Sequence, residues 1–266
     1  MKLLRIAAVS LTIVASTIVS FGLTSAIVGP GVAHAQEGAA YPIEIINRPF
    51  TLPSGAWQAG LDLFADESFD AIGTSVGFDY GLLNELQLGL SYSFLLKDFE
   101  AKGDLALAAS YLYLGGDKLS GLAVAGLGYS FLNEGLLPLE VGSLIWYTIN
   151  PKMAVYAVPL LTISLADEDL GDGGGAVKPI FLALPVNYAL QVTSTIYVEV
   201  GTELAQINIS DSNTLIFGAD YIPLSVIGFL SLDNKLDFGA AISWGDLSDD
   251  AGAFDLLALV RYRGGI

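Results

Sequence analysis

Between Ala56 and Arg263 apolar residues recur at every second position, in stretches of about ten residues separated by turns. A helix cannot sustain that period, so the segments are strands with one apolar face. Trp57, Ala59, Leu61 and Leu63 alternate with Gln58, Gly60 and Asp62, and Ile72, Thr74, Val76, Phe78 and Tyr80 with Gly73, Ser75, Gly77 and Asp79. Leu86, Leu88, Leu90, Tyr92 and Phe94 repeat the pattern, as do Leu105, Leu107, Ala109, Tyr111 and Tyr113. It continues through 121–132, 138–149, 152–165, 179–190, 195–206, 214–230, 235–245 and 253–263, which gives about 12 strands, an even number as in bacterial barrels. Pro223 interrupts 214–230, where alternation is poor, so about 10 or about 14 strands also fit.

The turns fall into two sets. Gly81–Glu85, Asn150–Lys152, Val192–Ser194 and Asp233–Asn234 are tight, and Gly115–Ser120 joins them loosely. Lys97–Gly103, Ala166–Pro179, Ile207–Asn213 and Asp246–Gly252 are longer or more polar, and Asn133–Leu137 is short for that set. Short periplasmic turns opposite longer outer loops are the habit of outer-membrane barrels. Aromatic residues fall near strand ends: Trp57, Tyr80, Tyr113, Tyr147, Tyr188 and Tyr262 at the periplasmic edge, Phe94, Phe131, Trp244 and Phe254 at the other. Tyr221 joins the first group if its strand stops at Pro223. Two such belts suit rings at the lipid–water interface. The fold expected is an all-β, antiparallel transmembrane β-barrel. A soluble β-sandwich would also alternate, but its outward face would be rich in Lys, Glu and Thr, whereas here one face is Leu, Val and Tyr and the other Gly, Ala, Ser and carboxylates.

Residues 1–35 read as a signal peptide: Lys2 and Arg5, an apolar stretch from Ile6 to Val28, then Ala33-His34-Ala35 at the cleavage site. Residues 36–55 form a periplasmic leader or a plug, with Ile43, Ile45, Ile46 and Phe50 lacking a strand partner, and 56–266 form the barrel. The mature chain keeps 9 basic against 28 acidic residues, a formal −19, and has no histidine or cysteine. It has no basic face for nucleic acid, and neither a Ser-His-Asp nor a Cys-His arrangement can be built. Catalysis and a bound cofactor are therefore not expected. The loop Asp167–Gly175 has four carboxylates and flexible glycines that could bind calcium through oxygen ligands, but its spacing misses the EF-hand register and lacks the closing glutamate, so a solvated loop is the expectation.

If the Leu, Val and Tyr positions face lipid, the lumen receives Asp62, Asp79, Glu140, Glu199, Glu203, Asp220, Asp237 and Asp255, answered from the wall by Arg261 and Arg263. Asp79, Glu199 and Asp237 lie toward the periplasmic strand ends, with Asp220 if Pro223 ends its strand, and a carboxylate ring there would favour cations unless the arginines neutralise it. Strands six to eight are apolar inside as well, at Leu144, Trp146, Tyr156, Val158, Leu160 and Phe181, which suits passage of a hydrophobic compound or packing against a plug.

The whole pattern from 56 to 263 resembles bacterial outer-membrane β-barrels. Phe254–Tyr262 is similar to the C-terminal signal read by the barrel-assembly machinery, with Arg263–Ile266 following the aromatic residue that usually ends the chain. Asn47-Arg48-Pro49-Phe50-Thr51-Leu52-Pro53-Ser54-Gly55 is similar to the start of outer-membrane transporters of the phenol meta-pathway type. These resemblances imply a bacterial outer-membrane channel or transporter, with membrane lipid, the assembly machinery and small solutes as partners. The alternative is a structural or surface-interaction barrel with a filled lumen.

Overall fold

The computed structural model describes residues 41–69, 71–96, 103–165, 179–210, 213–219, 221–248 and 253–266. The segment expected to be a signal peptide, Asp220 and most of the 166–179 loop lie outside the described residues.

Strand segments follow one another along the chain: β1 (Trp57–Asp66), β2 (Ile72–Leu83), β3 (Leu86–Leu95), β4 (Gly103–Leu114), β5 (Leu119–Ser130), β6 (Gly135–Leu136), β7 (Leu139–Asn150) and β8 (Met153–Ala157). Then come β9 (Leu160–Ile163), β10 (Ile180–Gln191), β11 (Ile196–Asn208), β12 (Asn213–Ile216), β13 (Leu224–Ser231), β14 (Leu236–Trp244) and β15 (Asp255–Gly264). β6 is a two-residue bridge onto β5. β8 and β9 are one stave broken in the middle, since both lie between β7 and β10. β12 and β13 share one side of β11 in the same way. The result is a closed antiparallel barrel of 12 staves, sealed where β1 pairs β15 from Trp57↔Gly264 to Asp66↔Asp255. Closure gives every stave two neighbours, which is how a barrel avoids an open sheet edge in lipid.

The breaks have local causes. Pro159 has no N–H to give the ladder, so the sheet is held there by Ser143 N–H donating to the Pro159 carbonyl (3.1 Å) and Val158 N–H to that of Pro185 (3.0 Å). β10 carries a register shift opposite, between Ala183 and Pro185. The stave containing Pro223 leaves the sheet after Ile216 and rejoins it at Leu224, then runs on to Ser231. Tyr221 is therefore not part of the periplasmic belt. It lies toward the other end, beside Glu203 and Asp246, where burial first and those two carboxylates next push its hydroxyl pKa up.

Alternation sorts the two faces as the sequence predicts. Leu61, Leu63, Val76, Phe78, Leu88, Leu90, Leu107, Leu127 and Val141 are exposed outward, while the residues between them are covered. The tight connections (Asn84-Glu85, 115–118, Pro151-Lys152, 192–195 and 232–235) lie at the same end as Trp57 and Gly264, which by barrel habit is the periplasmic end. Asp233 Oδ1 accepts from the N–H groups of Lys235 and Leu236 and so fixes one of these turns. Outside, Trp57 stacks on Phe78 and tilts against Tyr262, and Tyr92, Phe94, Tyr129 and Phe131 form a second ring cluster toward the long-loop end.

Candidate functional site: the lumen and the segment inside it

Residues 41–56 do not join the sheet. Their contacts come from strands around the whole circumference, so they lie across the periplasmic end of the lumen. Ile46 N–H donates to Gln191 Oε1 on β10 (3.1 Å), and Leu52 N–H to Gln87 Oε1 on β3 (2.9 Å). Thr51 Oγ1 donates to the Asn84 carbonyl (2.5 Å) and Ser54 N–H to Asn84 Oδ1 (2.9 Å). The segment closes on β2, where Gly55 N–H donates to the Gly81 carbonyl and Gly81 N–H to that of Ala56. A Cβ at Gly81 would stand 2.2 Å from the Pro53 carbonyl oxygen, so only glycine admits this approach.

A single 3₁₀ turn, Ile45–Asn47, aims two apolar side chains into the barrel. Ile45, Ile46 and Phe50 pack in one cluster with Leu122, Leu144, Trp146, Tyr156, Tyr197, Phe229 and Leu259 from the inner wall. Phe50 meets Trp146 edge-on (5.8 Å, 80°), and Trp146 stacks on Tyr156 (5.0 Å, 14°). The inward apolar residues of β7 and β8 are thus the bed on which the segment rests. Trp146 and Tyr156 are covered, whereas Phe181, higher on β10, is half-buried and away from that bed.

Ion pairs fasten the arrangement. Arg48 donates through Nη1 to Asp237 Oδ2 (2.6 Å) and through Nη2 to Oδ1 (3.0 Å). Its other donors tie down the segment itself, with Nε on the Pro42 carbonyl and Nη2 on that of Ile43. Arg263 Nη1 also stands 2.6 Å from Asp237 Oδ2. Higher up, Arg261 makes a two-point contact with Asp62 (2.5 and 3.0 Å) across β1 and β15. Gly60 makes room for it, since a Cβ there would stand 2.9 Å from Arg261 Nη1.

The three carboxylates expected near the periplasmic end are each engaged. Asp237 holds the two arginines, Asp79 accepts from Gln58 Nε2 (3.4 Å), and Glu199 accepts from the hydroxyls of Tyr156 and Tyr197. They sit at 0%, 3% and 5% exposure, so they are built into a packed floor rather than spread round an open rim. Sequence reasoning missed Arg48, Gln87, Gln191 and Tyr197. The signal for Arg48 was a lone basic residue in an apolar stretch without a strand partner.

The other half of the lumen differs. Ser75, Ser91, Ser93, Ala106 and Gly126 line one side, with Ser93 Oγ donating to Ser75 Oγ. Glu140 is buried (5% exposed) between Gly126 and Thr162, Glu203 is half-buried with Oε1 unbonded among the described residues, and Asp255 is exposed opposite Asp66. Among the described residues the three arginines lie in or next to the floor, and Lys118, Lys152 and Lys235 lie in the tight turns, so no basic residue lines this outer half.

No family model and no curated protein matches the chain. Solved structures do. The NanC porin superposes with a TM-score of 0.60 at 8% identity, covering 77% of this chain and 98% of that one. The KdgM porin gives 0.56 at 10% identity, covering 77% and 98%. The COG4313 outer membrane channel from Pseudomonas putida F1 gives 0.50 at 16% identity, covering 80% and 97%. At such identities the likeness is one of fold: the chain has the closed antiparallel β-barrel fold that these bacterial outer-membrane porins and channels share.

Proposed function

We propose that this barrel is a passive outer-membrane channel for small neutral or cationic solutes, closed at its periplasmic end by residues 41–56. The observation that carries the reading is that the floor of the lumen is filled by a chain segment rather than by wall side chains alone. A segment held by a few polar contacts and one apolar cluster can leave, whereas a wall cannot. Above it, carboxylates with no basic group beside them among the described residues raise the local concentration of cations and repel anions. The KdgM porin has been solved in complex with oligogalacturonate; the outer lumen here, with Glu203 and Asp255, disfavours such an acidic sugar. The half-buried Phe181, above the packed bed, also gives a small hydrophobic solute a surface to follow. In this reading the mature chain begins near residue 36 and is placed in the membrane by the barrel-assembly machinery.

Planar-bilayer recording of residues 36–266 and of a variant lacking 41–53 tests the proposal. The full chain is expected to conduct rarely and the deletion steadily, with a reversal potential favouring potassium over chloride that weakens in Glu203→Gln/Asp255→Asn. A deletion variant that folds and never conducts would instead support a barrel with a filled lumen and a structural or surface role.

A further inference from the structure

This inference rests on the reading of residues 41–56 as a plug and concerns how the plug is held. Two guanidinium groups converge on one carboxylate, and none of the three has exposed surface. Arg48, carried by the segment, makes both aligned hydrogen bonds to Asp237. Arg263, carried by β15, has Nη1 at ion-pair distance from the same Oδ2, yet its Nε, Nη1 and Nη2 are buried without a hydrogen-bond acceptor among the described residues. The Tyr41 ring lies against both cations, at 5.7 Å from Arg48 and 5.8 Å from Arg263. The third arginine does not enter the contest: Arg261 is opposite Asp237 in register, but its guanidinium is committed to Asp62.

A buried cation with unmade hydrogen bonds is costly, and so is a buried carboxylate that loses its partner. The geometry links the two costs. While the segment is seated, Arg48 holds the aligned positions and Arg263 goes without. Once Arg48 leaves, Arg263 needs only a side-chain adjustment to take both oxygens, and Asp237 remains paired. We propose that Asp237 is a shared anchor for which Arg48 and Arg263 compete, so that Arg263 eases release of the segment and sets how often the channel opens.

The exchange predicts opposite signs for two substitutions that each leave one complete ion pair and so preserve the fold. In the full mature chain, Arg48→Met is expected to raise open probability at least about tenfold at fixed voltage, because the segment loses its charged hydrogen bonds while Asp237 keeps Arg263. Arg263→Met is expected to lower it by a similar factor, because release of Arg48 would then strand a buried carboxylate. Maleimide labelling of Ile46→Cys, in a chain with no other cysteine, should move the same way in each background and needs no current. If both substitutions raise opening and labelling, both arginines are simple struts and the exchange is wrong; an Arg263→Met variant identical to the parent also overturns it. Failure of the plug reading is distinct, since the 41–53 deletion would then conduct no better than the full chain.

Discussion

Replacing Phe50 by alanine measures how firmly the segment is seated. Its side chain is 3% exposed and ends edge-on against Trp146. Burying a phenylalanine side chain is worth about 1.5–3 kcal/mol, and the edge-to-face contact adds about 0.5–1.5 kcal/mol. In the proposed function the segment leaves while the barrel stays closed, so this loss is expected to fall on seating rather than on global stability. A loss of about 3 kcal/mol lowers the seating equilibrium roughly 150-fold, at about 1.4 kcal/mol per factor of ten. The assay is the rate at which a water-soluble maleimide labels Ile46→Cys in lipid vesicles, with and without Phe50→Ala. Ile46 is 2% exposed when seated, so labelling follows the unseated population, and any effect of the cysteine itself is common to both proteins. A rate within about threefold of the parent, where a loss of about 3 kcal/mol was expected, would refute the reasoning and show that the apolar bed does not hold the segment.

Other predictions concern the wall. Asp62→Asn leaves Arg261 buried without its counter-ion, and unfolding by urea in vesicles should show a loss of about 3–5 kcal/mol, much of it recovered in Asp62→Leu/Arg261→Leu. Gly73→Ala places a Cβ 2.1 Å from the Phe64 ring inside the barrel; a loss of about 1–3 kcal/mol is expected, and Phe64→Leu in the same chain should relieve it. Leu107 is 59% exposed in the middle of the outer face of β4, so Leu107→Arg should cost about 2–4 kcal/mol in a bilayer. An unchanged urea midpoint for that variant would place β4 elsewhere than against lipid.

The wall was legible in the sequence because its signal is local. Period two assigned Leu61, Phe78 and Leu107 to one face and Asp62, Asp79 and Glu199 to the other before any register was known. The break near Pro223 showed too, although whether the stave resumed beyond it was set by pairing with β11, and that put Tyr221 at the opposite end from the belt. The floor was not legible because its contacts are long-range. Arg48 and Asp237 are 189 positions apart, and no pattern within either neighbourhood names the other. Nor does alternation say whether an inward carboxylate meets water, a tyrosine or an arginine. That depends on which side chains the curvature of the sheet brings across the lumen.

The seam between β1 and β15 has a consequence for time rather than for energy. Every other stave pairs with neighbours in sequence, so those hairpins can form as the chain lengthens, while Trp57 must wait for Gly264. Closing so long a loop costs little more than closing a short one, because the entropy grows only logarithmically, but it delays the event. Persistence of the closed barrel is then governed by one ladder, and undoing it requires breaking consecutive bonds in a medium that offers no replacements. Residues 41–56 lead directly into β1, so the strand that completes the ring also carries the chain that occupies it.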